Sequence, residues 1–246
     1  MEKNKKIIII ISFVTIILTV IIIAFLTVGH MLFMTPSETG EFSNSSIHIL
    51  KNNINNVYII NSTDGYIVID TGSDLKTVKE ELKYFNITPS DVKHVFLSHS
   101  DYDHIGGISL FKNAKIYVSE DMLEINGSKT VLFERNPLDT EITAENVNLI
   151  TDEELILGDV KIKSIKTPGH TPGHMVYLIY DKYLFTGDAV QISENSLKIH
   201  PFTMDEKKSN ESIEIIKETI NEIIKNDGYV FTAHYGYYKA QDLNLN

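Results

Sequence analysis

Residues 98–107 read Ser-His-Ser-Asp-Tyr-Asp-His-Ile-Gly-Gly, and this stretch holds four potential metal ligands: His99, Asp101, Asp103 and His104. Two carboxylates buried this close together would repel each other and lose their hydration, at a cost of several kcal/mol, unless a cation were bound. The apolar residues 95–97 before the stretch are typical of a buried strand that ends in a loop, which argues against a solvated polar turn. The sequence therefore predicts a metal site at a strand end.

The donor atoms limit the kind of metal. A calcium loop of the EF-hand type would need oxygen donors at loop positions 5 and 12, but counted from Asp101 these are Ile105 and Lys112. Mixed imidazole and carboxylate donors favour zinc, iron or manganese. The chain has no cysteine, so such a site must be built from His and carboxylates, and thiols say nothing about the compartment.

Composition and charge exclude some classes of protein. The 246 residues are 43% hydrophobic, which is enough for one domain with a sizeable core. The formal net charge is -11, and the domain region shows no Lys and Arg cluster of the kind that neutralises a phosphate backbone. We therefore expect a single catalytic domain and no nucleic-acid partner.

The N-terminal segment predicts a membrane anchor. Residues 7–28 contain no charge, Pro or Gly, and at about 1.5 Å per residue they would span roughly 33 Å, against a hydrocarbon core of ~30 Å. A cleaved signal peptide is the alternative, although its apolar run is usually only ~7–15 residues long. Because lysines precede the segment, we expect residues 1–6 in the cytoplasm, a transmembrane signal-anchor helix over 7–28, a linker over 29–46 and a domain over 47–246 outside the cytoplasm.

Further polar side chains follow apolar runs that are typical of strands. They are Asp70 after residues 66–69, His170 and His174 in a double turn after 160–165, Asp188 after 183–185, and His234 after 229–232. Asp70 has two interpretations: it caps a turn or helix, or it hydrogen-bonds a metal-bound histidine. His174 is interpreted as a structural neighbour of the ligands.

Two other predictions concern residues outside these motifs. Residues 209–226 form the clearest predicted helix, with Ser209 as its N-cap and a stripe of isoleucines facing the core. Four histidines match no motif and are interpreted as ordinary surface or core residues: His30, His48, His94 and His200.

The order of the motifs, H-x-D-x-D-H over residues 99–104 and then His170, Asp188 and His234, resembles the metallo-β-lactamase fold superfamily over essentially all of residues 47–240. The resemblance implies an α+β domain, a four-layer αββα sandwich, with a two-metal site at one edge of its paired sheets. On this pattern His99, Asp101 and His170 would hold one metal; Asp103, His104 and His234 would hold the other; and Asp188 would bridge them. Two divalent ions are implied, with zinc first, although Asp101 stands where many members have His and could shift its site toward iron or manganese.

The implied chemistry is hydrolysis by a metal-activated hydroxide, with Asp103 and His104 as catalytic residues. Asp103 could hold the hydroxide and receive its proton. A bridging Asp188 resembles the thioesterase, lactonase and phosphodiesterase branches more than the dedicated β-lactamases.

The predicted substrate is therefore a small molecule: an ester, thioester, lactone or phosphodiester. The alternatives are β-lactam hydrolysis and a non-enzymatic, metal-containing ectodomain that binds a surface partner. Residues 127–145, where periodicity is lost, are predicted as a variable loop on the substrate side.

Overall fold

The computed structural model describes residues 12–23, 25, 29, 34–43, 46–126, 129–132 and 146–246. The chain divides into two units, Met1–Met34 and Thr35–Asn246. Most of the predicted substrate-side loop over 127–145 lies outside the described residues, so that prediction is not tested.

The first unit contains a helix, α1, whose described residues are 12–23, 25 and 29. Across the described residues, no helix combines the length and the apolar character that a membrane crossing needs. The prediction of a transmembrane signal-anchor helix over 7–28 is therefore wrong for the described residues, and the predicted membrane partner has no support from them. The predicted location of the domain outside the cytoplasm stays a prediction.

The second unit is built mainly from short strands. In chain order these are β1 (Gly40–Phe42), β2 (Ile47–Asn52), β3 (Asn55–Ser62), β4 (Gly65–Ile69), β5 (Val92–Phe96), β6 (Lys115–Val118), β7 (Leu123–Asn126), β8 (Lys129–Leu132), β9 (Val147–Leu149), β10 (Glu153–Leu157), β11 (Val160–Lys166), β12 (Met175–Ile179), β13 (Tyr183–Phe185), β14 (Gln191–Ser193), β15 (Ser196–Lys198), β16 (Tyr229–Phe231) and β17 (Tyr237–Lys239). Its α-helices are α2 (Leu75–Tyr84), α3 (Tyr102–Ile105) and α4 (Glu206–Ile224).

The strands form two main sheets. The first has the order β1-β2-β3-β4-β5-β6-β9 and is antiparallel from β1 to β4 and parallel from β4 to β9. The second has the order β10-β11-β12-β13-β16-β17 and is antiparallel except for the parallel pair β13 and β16. The hairpins β7–β8 and β14–β15 stand apart from both sheets.

The inner faces of the two sheets pack against each other, and β12 shows how the sequence achieves this. All five residues of β12 are buried, and successive side chains of a strand point to opposite faces. Tyr177 and Ile179 therefore join the core between the sheets, whereas Val176 and Leu178 join the core beneath α4. A strand covered on both faces needs a continuous apolar run, which is what the sequence shows.

A helix covers the outer face of each sheet. Helix α2 packs Val78 and Leu82 on the first sheet, and α4 packs its isoleucine stripe on the second: Ile213, Ile216, Ile220 and Ile223. The predicted α+β, four-layer αββα sandwich is confirmed.

Two details of the chain differ from the prediction. Helix α4 begins at Glu206, because the Asp205 side chain accepts a hydrogen bond from the Lys208 backbone N–H at 3.0 Å. The predicted N-cap at Ser209 is therefore wrong, since Ser209 is buried inside the helix. Within the predicted linker, β1 pairs with β2 as an edge strand, and the Thr35 N–H donates to the His234 carbonyl at 2.8 Å.

The ends of several strands meet at one edge of the sandwich. The Asp70 N–H donates to the Phe96 carbonyl at 2.9 Å, so the exits of β4 and β5 are adjacent. The Met175 N–H donates to the Ser98 carbonyl at 2.8 Å, which joins the loop after β5 to the start of β12 in the other sheet. Polar side chains that the sequence places at strand exits are therefore gathered at this edge.

Candidate metal centre

The first ligand loop leaves β5 and turns at once into the short helix α3. His99 and His104 are fully buried, and Asp103 is nearly so. The backbone of α3 is tied to the exit of β4, because the Thr71 N–H donates to the His104 carbonyl at 2.6 Å and the Asn55 side chain donates to the Asp103 carbonyl. These bonds fix the backbone of the ligand loop.

The second half of the chain supplies three more predicted ligands from separate turns: His170, Asp188 and His234. The turn over residues 167–174 is closed by a hydrogen bond from the Thr167 N–H to the His174 carbonyl at 2.9 Å, and it presents His170. Gly187 has φ +50°, and a Cβ there would lie 2.5 Å from Ser98 Oγ, so glycine is what lets the Asp188 turn approach the first loop.

Two groups of side chains lie at this edge. In the first, Asp101 Oδ2 lies 3.3 Å from both His99 Nε2 and His170 Nε2. In the second, Asp103 Oδ2 lies 3.4 Å from His234 Nε2 and 3.8 Å from His104 Nε2. The structure therefore groups the six side chains in the two sets of three that the resemblance implied.

Asp188 lies between the two groups. Its Oδ2 is 3.5 Å from His170 Nε2 and 3.9 Å from His99 Nε2 on one side. On the other side the same oxygen is 3.2 Å from His234 Nε2 and 3.5 Å from His104 Nε2. One carboxylate oxygen thus faces the imidazoles of both groups.

The spacing fits metal coordination. Donor atoms bound ~2.0–2.1 Å from one tetrahedral zinc ion lie about 3.3–3.4 Å apart, close to most of the distances above. Within the described part of the chain, the buried Nε2 atoms of His99 and His104 and the buried Oδ1 of Asp188 have no hydrogen-bond partner. These His and Asp groups could hold metal ions. Their individual roles as ligands stay predictions.

Asp70 supports the first loop from behind. Its Oδ1 accepts from the Ser98 N–H at 2.7 Å, and its Oδ2 accepts from Ser98 Oγ at 2.7 Å and contacts His104 Nδ1 at 2.8 Å. Helix α2 is capped by Asp74 instead, whose side chain accepts from the Thr77 N–H at 2.8 Å. Of the two interpretations of Asp70, its contacts agree with hydrogen bonding to a histidine of the site, which fixes the ring so that Nε2 faces the carboxylates.

His174 lies behind Asp188. Its Nε2 accepts a hydrogen bond from the Asp188 N–H at 3.2 Å, and its Nδ1 lies 3.1 Å from Thr167 Oγ1. Burial, reinforced by the neighbouring His99, lowers the pKa of His174 well below its ordinary value, so the ring is a neutral acceptor. This contact holds the Asp188 turn and leaves no Nε2 lone pair for a metal.

The electrostatics of the site favour a cation. Burial lowers the pKa of His104, but the carboxylates of Asp188, Asp70 and Asp103 outweigh it and hold that pKa well above its ordinary value. Burial opposes the charge of Asp188 too, yet the surrounding imidazoles, first among them His234, hold the pKa of its carboxyl well below the usual range. The carboxylates, which also raise the pKa of His234, therefore favour positive charge at these imidazoles, and a bound metal ion would supply that charge.

His200 is a residue of this site that the sequence did not predict. It is 1% exposed, and its Nε2 lies 3.8 Å from Asp188 Oδ2. Its ring centroid is 4.8 Å from that of His170, and burial lowers the pKa of His200 to about 3, so the ring is neutral. No motif surrounds it, because it reaches the site through the turn that follows β15, and the interpretation of His200 as an ordinary histidine is wrong.

An αββα sandwich with His and Asp groups at its strand ends defines a metallo-hydrolase fold. The sequence profile of the Metallo-beta-lactamase superfamily matches residues 51–224, and the chain belongs to this superfamily. The resemblance seen in the sequence is thereby confirmed.

Relatives agree with this class. The chain is 30% identical over 170 residues to a probable metallo-hydrolase of Methanocaldococcus jannaschii, with 67% of this chain and 72% of that protein covered. It is 26% identical over 211 residues to an N-acyl homoserine lactonase of a Bacillus species, with 72% of this chain and 79% of that protein covered. A solved archaeal metallo-beta-lactamase superfamily protein from Sulfolobus tokodaii shares the fold at a TM-score of 0.55 and 20% identity, over 80% of this chain and 82% of that one. The chain is a metallo-hydrolase of this superfamily.

Proposed function

We propose that the chain binds two divalent metal ions, zinc first, and hydrolyses a small ester or lactone. The observation that carries the proposal is the position of Asp188 Oδ2, which lies 3.2–3.9 Å from imidazole nitrogens of both groups. A carboxylate oxygen placed in this way suits a bridge between two ions. Two divalent ions would exceed the three carboxylate charges of Asp101, Asp103 and Asp188 by one unit, which suits binding of an anion.

Bound divalent ions would lower the pKa of a water molecule toward neutrality and polarise a substrate carbonyl. The protein groups supply position and proton transfer. Asp103 is the proposed general base, because its side chain is 12% exposed, against 5% for Asp188, and is therefore the more accessible of the two. Asp70 orients His104, and His174 orients the Asp188 turn, so both clusters are held without rearrangement.

The rim of the site favours a substrate with an apolar part. Tyr102, between two predicted ligands, is 41% exposed, and Phe202 and Met204 are 37% and 51% exposed. The Met204 N–H donates to the carbonyls of Gly169 and His170 at 3.1 and 3.2 Å, so this residue lies beside the ligand turn. An apolar rim suits the acyl group of an ester or lactone better than a phosphodiester. The lactonase relative supports the same class.

The test is a substrate panel on the full chain loaded with zinc: an N-acyl lactone, a p-nitrophenyl ester, a thioester, a phosphodiester and a β-lactam. We expect the lactone or the ester to give the largest kcat/KM, with activity lost on chelation. A phosphodiester or β-lactam as best substrate would overturn the proposed substrate class. Lack of metal-dependent turnover on all five would overturn the proposed function.

A matched pair of variants separates the site from the fold. His104→Ala should lower turnover by orders of magnitude, because it removes a predicted ligand from the second group. His94→Ala is the control, since His94 lies on β5 and contacts Tyr117 Oη at 3.1 Å, away from both groups. Equal activity in the two variants would remove His104 from the mechanism.

A further inference from the structure

His200 reaches the metal centre from a part of the chain that the family motifs do not include. It follows the hairpin β14–β15 and is buried with its Nε2 directed at Asp188 Oδ2. Ligand atoms of His170, Asp188 and His200 all lie within 4.8 Å of one another. This third group contains His170 from the first group and the intervening Asp188, and it adds one imidazole.

The backbone that carries His200 is fixed to the His170 turn. The Thr203 N–H donates to the His200 carbonyl at 3.1 Å, which closes the turn after His200. The next two residues, Met204 and Asp205, donate to carbonyls of Gly169 and His170 at 2.9–3.2 Å. Helix α4 begins directly afterwards at the Asp205 cap. His200 is thus delivered by a turn that is hydrogen-bonded to the same segment that delivers His170.

The neighbouring rings fix the orientation of the imidazole. His200 lies nearly perpendicular to His170, with centroids 4.8 Å apart and an angle of 83°. It lies nearly parallel to His234, with centroids 5.7 Å apart and an angle of 28°. Packed between a ring of the first group and a ring of the second, His200 is held with Nε2 toward the carboxylate that both groups share.

The distance from His200 Nε2 to Asp188 Oδ2 distinguishes a direct hydrogen bond from shared binding of one metal ion. At 3.8 Å, His200 Nε2 is too far from Asp188 Oδ2 for a direct hydrogen bond. Two donors to one zinc ion lie about 3.3 Å apart at a tetrahedral angle and up to roughly 4.1 Å when opposite each other, so 3.8 Å fits two ligands of one ion. A neutral imidazole also adds a donor without adding negative charge to a site that already holds three carboxylates.

We propose that His200 is a further metal ligand, which shares an ion with His170 and Asp188; this rests on the proposed binding of metal at this centre. The ion is a borderline divalent cation such as zinc or cobalt. The extra ligand ties the turn that bears Phe202 and Met204 to the metal, so metal occupancy and the apolar rim of the site are coupled.

The experiment uses Co²⁺ in the full chain, because its visible absorption reports the number and kind of ligands. Metal affinity is measured by competition with a chromophoric chelator for the unmodified chain, His200→Ala, His200→Gln and the matched control His94→Ala. We expect both His200 variants to bind Co²⁺ at least tenfold more weakly, on the order of the loss seen for altered metal sites, and with a changed visible spectrum. His94→Ala should match the unmodified chain in both respects.

Two outcomes overturn the proposal. If the unmodified chain binds Co²⁺ and either folded His200 variant retains its affinity and spectrum, His200 is not a ligand, and a change confined to KM would then assign it to substrate contact. If the unmodified chain does not bind Co²⁺ or Zn²⁺, the proposed metal-dependent function fails as well. The His200→Gln variant keeps a polar side chain of similar size, so the comparison stands even where His200→Ala does not fold.

Discussion

Asp70 and Asp188 lie in turns that look alike in the sequence and differ in their surroundings. Each carboxylate lies within three residues of the end of a short strand and within two residues of a glycine, and each is 3% exposed. Asp70 has a hydrogen-bonding partner on each oxygen, at 2.7–2.8 Å. Asp188 presents one oxygen to imidazole nitrogens at 3.2–3.9 Å, and its other oxygen has no partner in the described structure. The same local pattern therefore gives an orienting carboxylate in one turn and a candidate ligand in the other.

Asp188→Asn should have the largest effect of any single change in this comparison. The amide keeps the size of the side chain but removes the charge that would bridge two cations, so turnover should fall by several orders of magnitude and metal content should drop. Turnover and elemental mass spectrometry on the full chain measure both, with circular dichroism as the check on folding. Near-normal turnover with full metal content would show that Asp188 is not a metal ligand, and the contrast with the orienting carboxylate of Asp70 would then be wrong.

Asp70→Asn is the matched change in the other turn, and its effect should be smaller. The variant retains a carbonyl oxygen for the Ser98 N–H but loses the anionic partner of His104 Nδ1. Loss of such an outer partner typically lowers metal affinity or activity by about 10–100-fold. Competition with a chelator and kcat/KM measure the change. A loss as large as that of Asp188→Asn would mean that Asp70 is itself a ligand.

The sequence could predict much of this site because the ligands are dense in residues 98–107 and because strand exits can be recognised from apolar runs. The resemblance to the superfamily implied that the distant motifs of His170 and His234 meet, and β11 and β16, which carry them, do run in the same direction in the second sheet. The structure does bring the predicted side chains together. The sequence could not predict that Asp70 contacts Ser98 and His104 and that Asp74, four residues later, caps helix α2, because both carboxylates could serve as the cap.

What the sequence missed depends on tertiary contacts or on competing local signals. His200 is positioned by backbone hydrogen bonds from residues 204 and 205 to the His170 turn, and no spacing rule encodes such a contact. The start of α4 was misplaced because Asp205 and Ser209 are both good N-caps, and Asp205 lies one turn earlier. The anchor prediction depended on the length of an apolar run, whereas no helix among the described residues has the length and apolar character of a membrane span.

His104 joins the two turns, since Nδ1 contacts Asp70 and Nε2 faces Asp188, and it makes the chelated protein sensitive to pH. The pKa values of His104 and His234 are raised in the folded chain, so their stabilising contribution is present below about pH 6.5 and is lost as the pH rises through the folded values. The pKa values of His170, His174 and His200 are lowered in the folded chain. These three histidines therefore lower the stability of the fold only as the pH falls below about 6.5.

As the pH rises above about 6.5, the chelated chain should therefore lose stability, by at most about 1.4 kcal/mol per pH unit for each of the two histidines. Urea unfolding of the chelated full chain at several pH values measures this slope. His104→Gln should reduce the slope, whereas His94→Ala should leave it unchanged. A slope of opposite sign in this window would show that the carboxylates do not hold protons on these rings.

Ser98→Ala should have the smallest effect on metal affinity of the changes discussed here. It tests whether the Ser98 hydroxyl helps Asp70 to orient His104. It removes the hydroxyl that donates to Asp70 Oδ2 and also contacts His99 Nδ1 at 3.0 Å, and it leaves the Ser98 N–H on Oδ1. Loss of a buried hydroxyl and its hydrogen bonding costs about 1 kcal/mol, which lowers Tm by roughly 2–4 °C in a domain of this size. Calorimetry on the chelated chain measures that change, and chelator competition measures metal affinity, which should fall only a few-fold.

Ser164→Ala is the matched control for this last change. Ser164 is a buried serine on β11 whose hydroxyl donates to the Thr151 carbonyl at 2.5 Å, away from the metal centre. It should lower Tm by a similar amount and leave metal affinity unchanged, because no ligand depends on it. If Ser98→Ala also left metal affinity unchanged, the Asp70 carboxylate would hold His104 in place without help from the hydroxyl, and the difference between the two turns would rest on the imidazole contact alone.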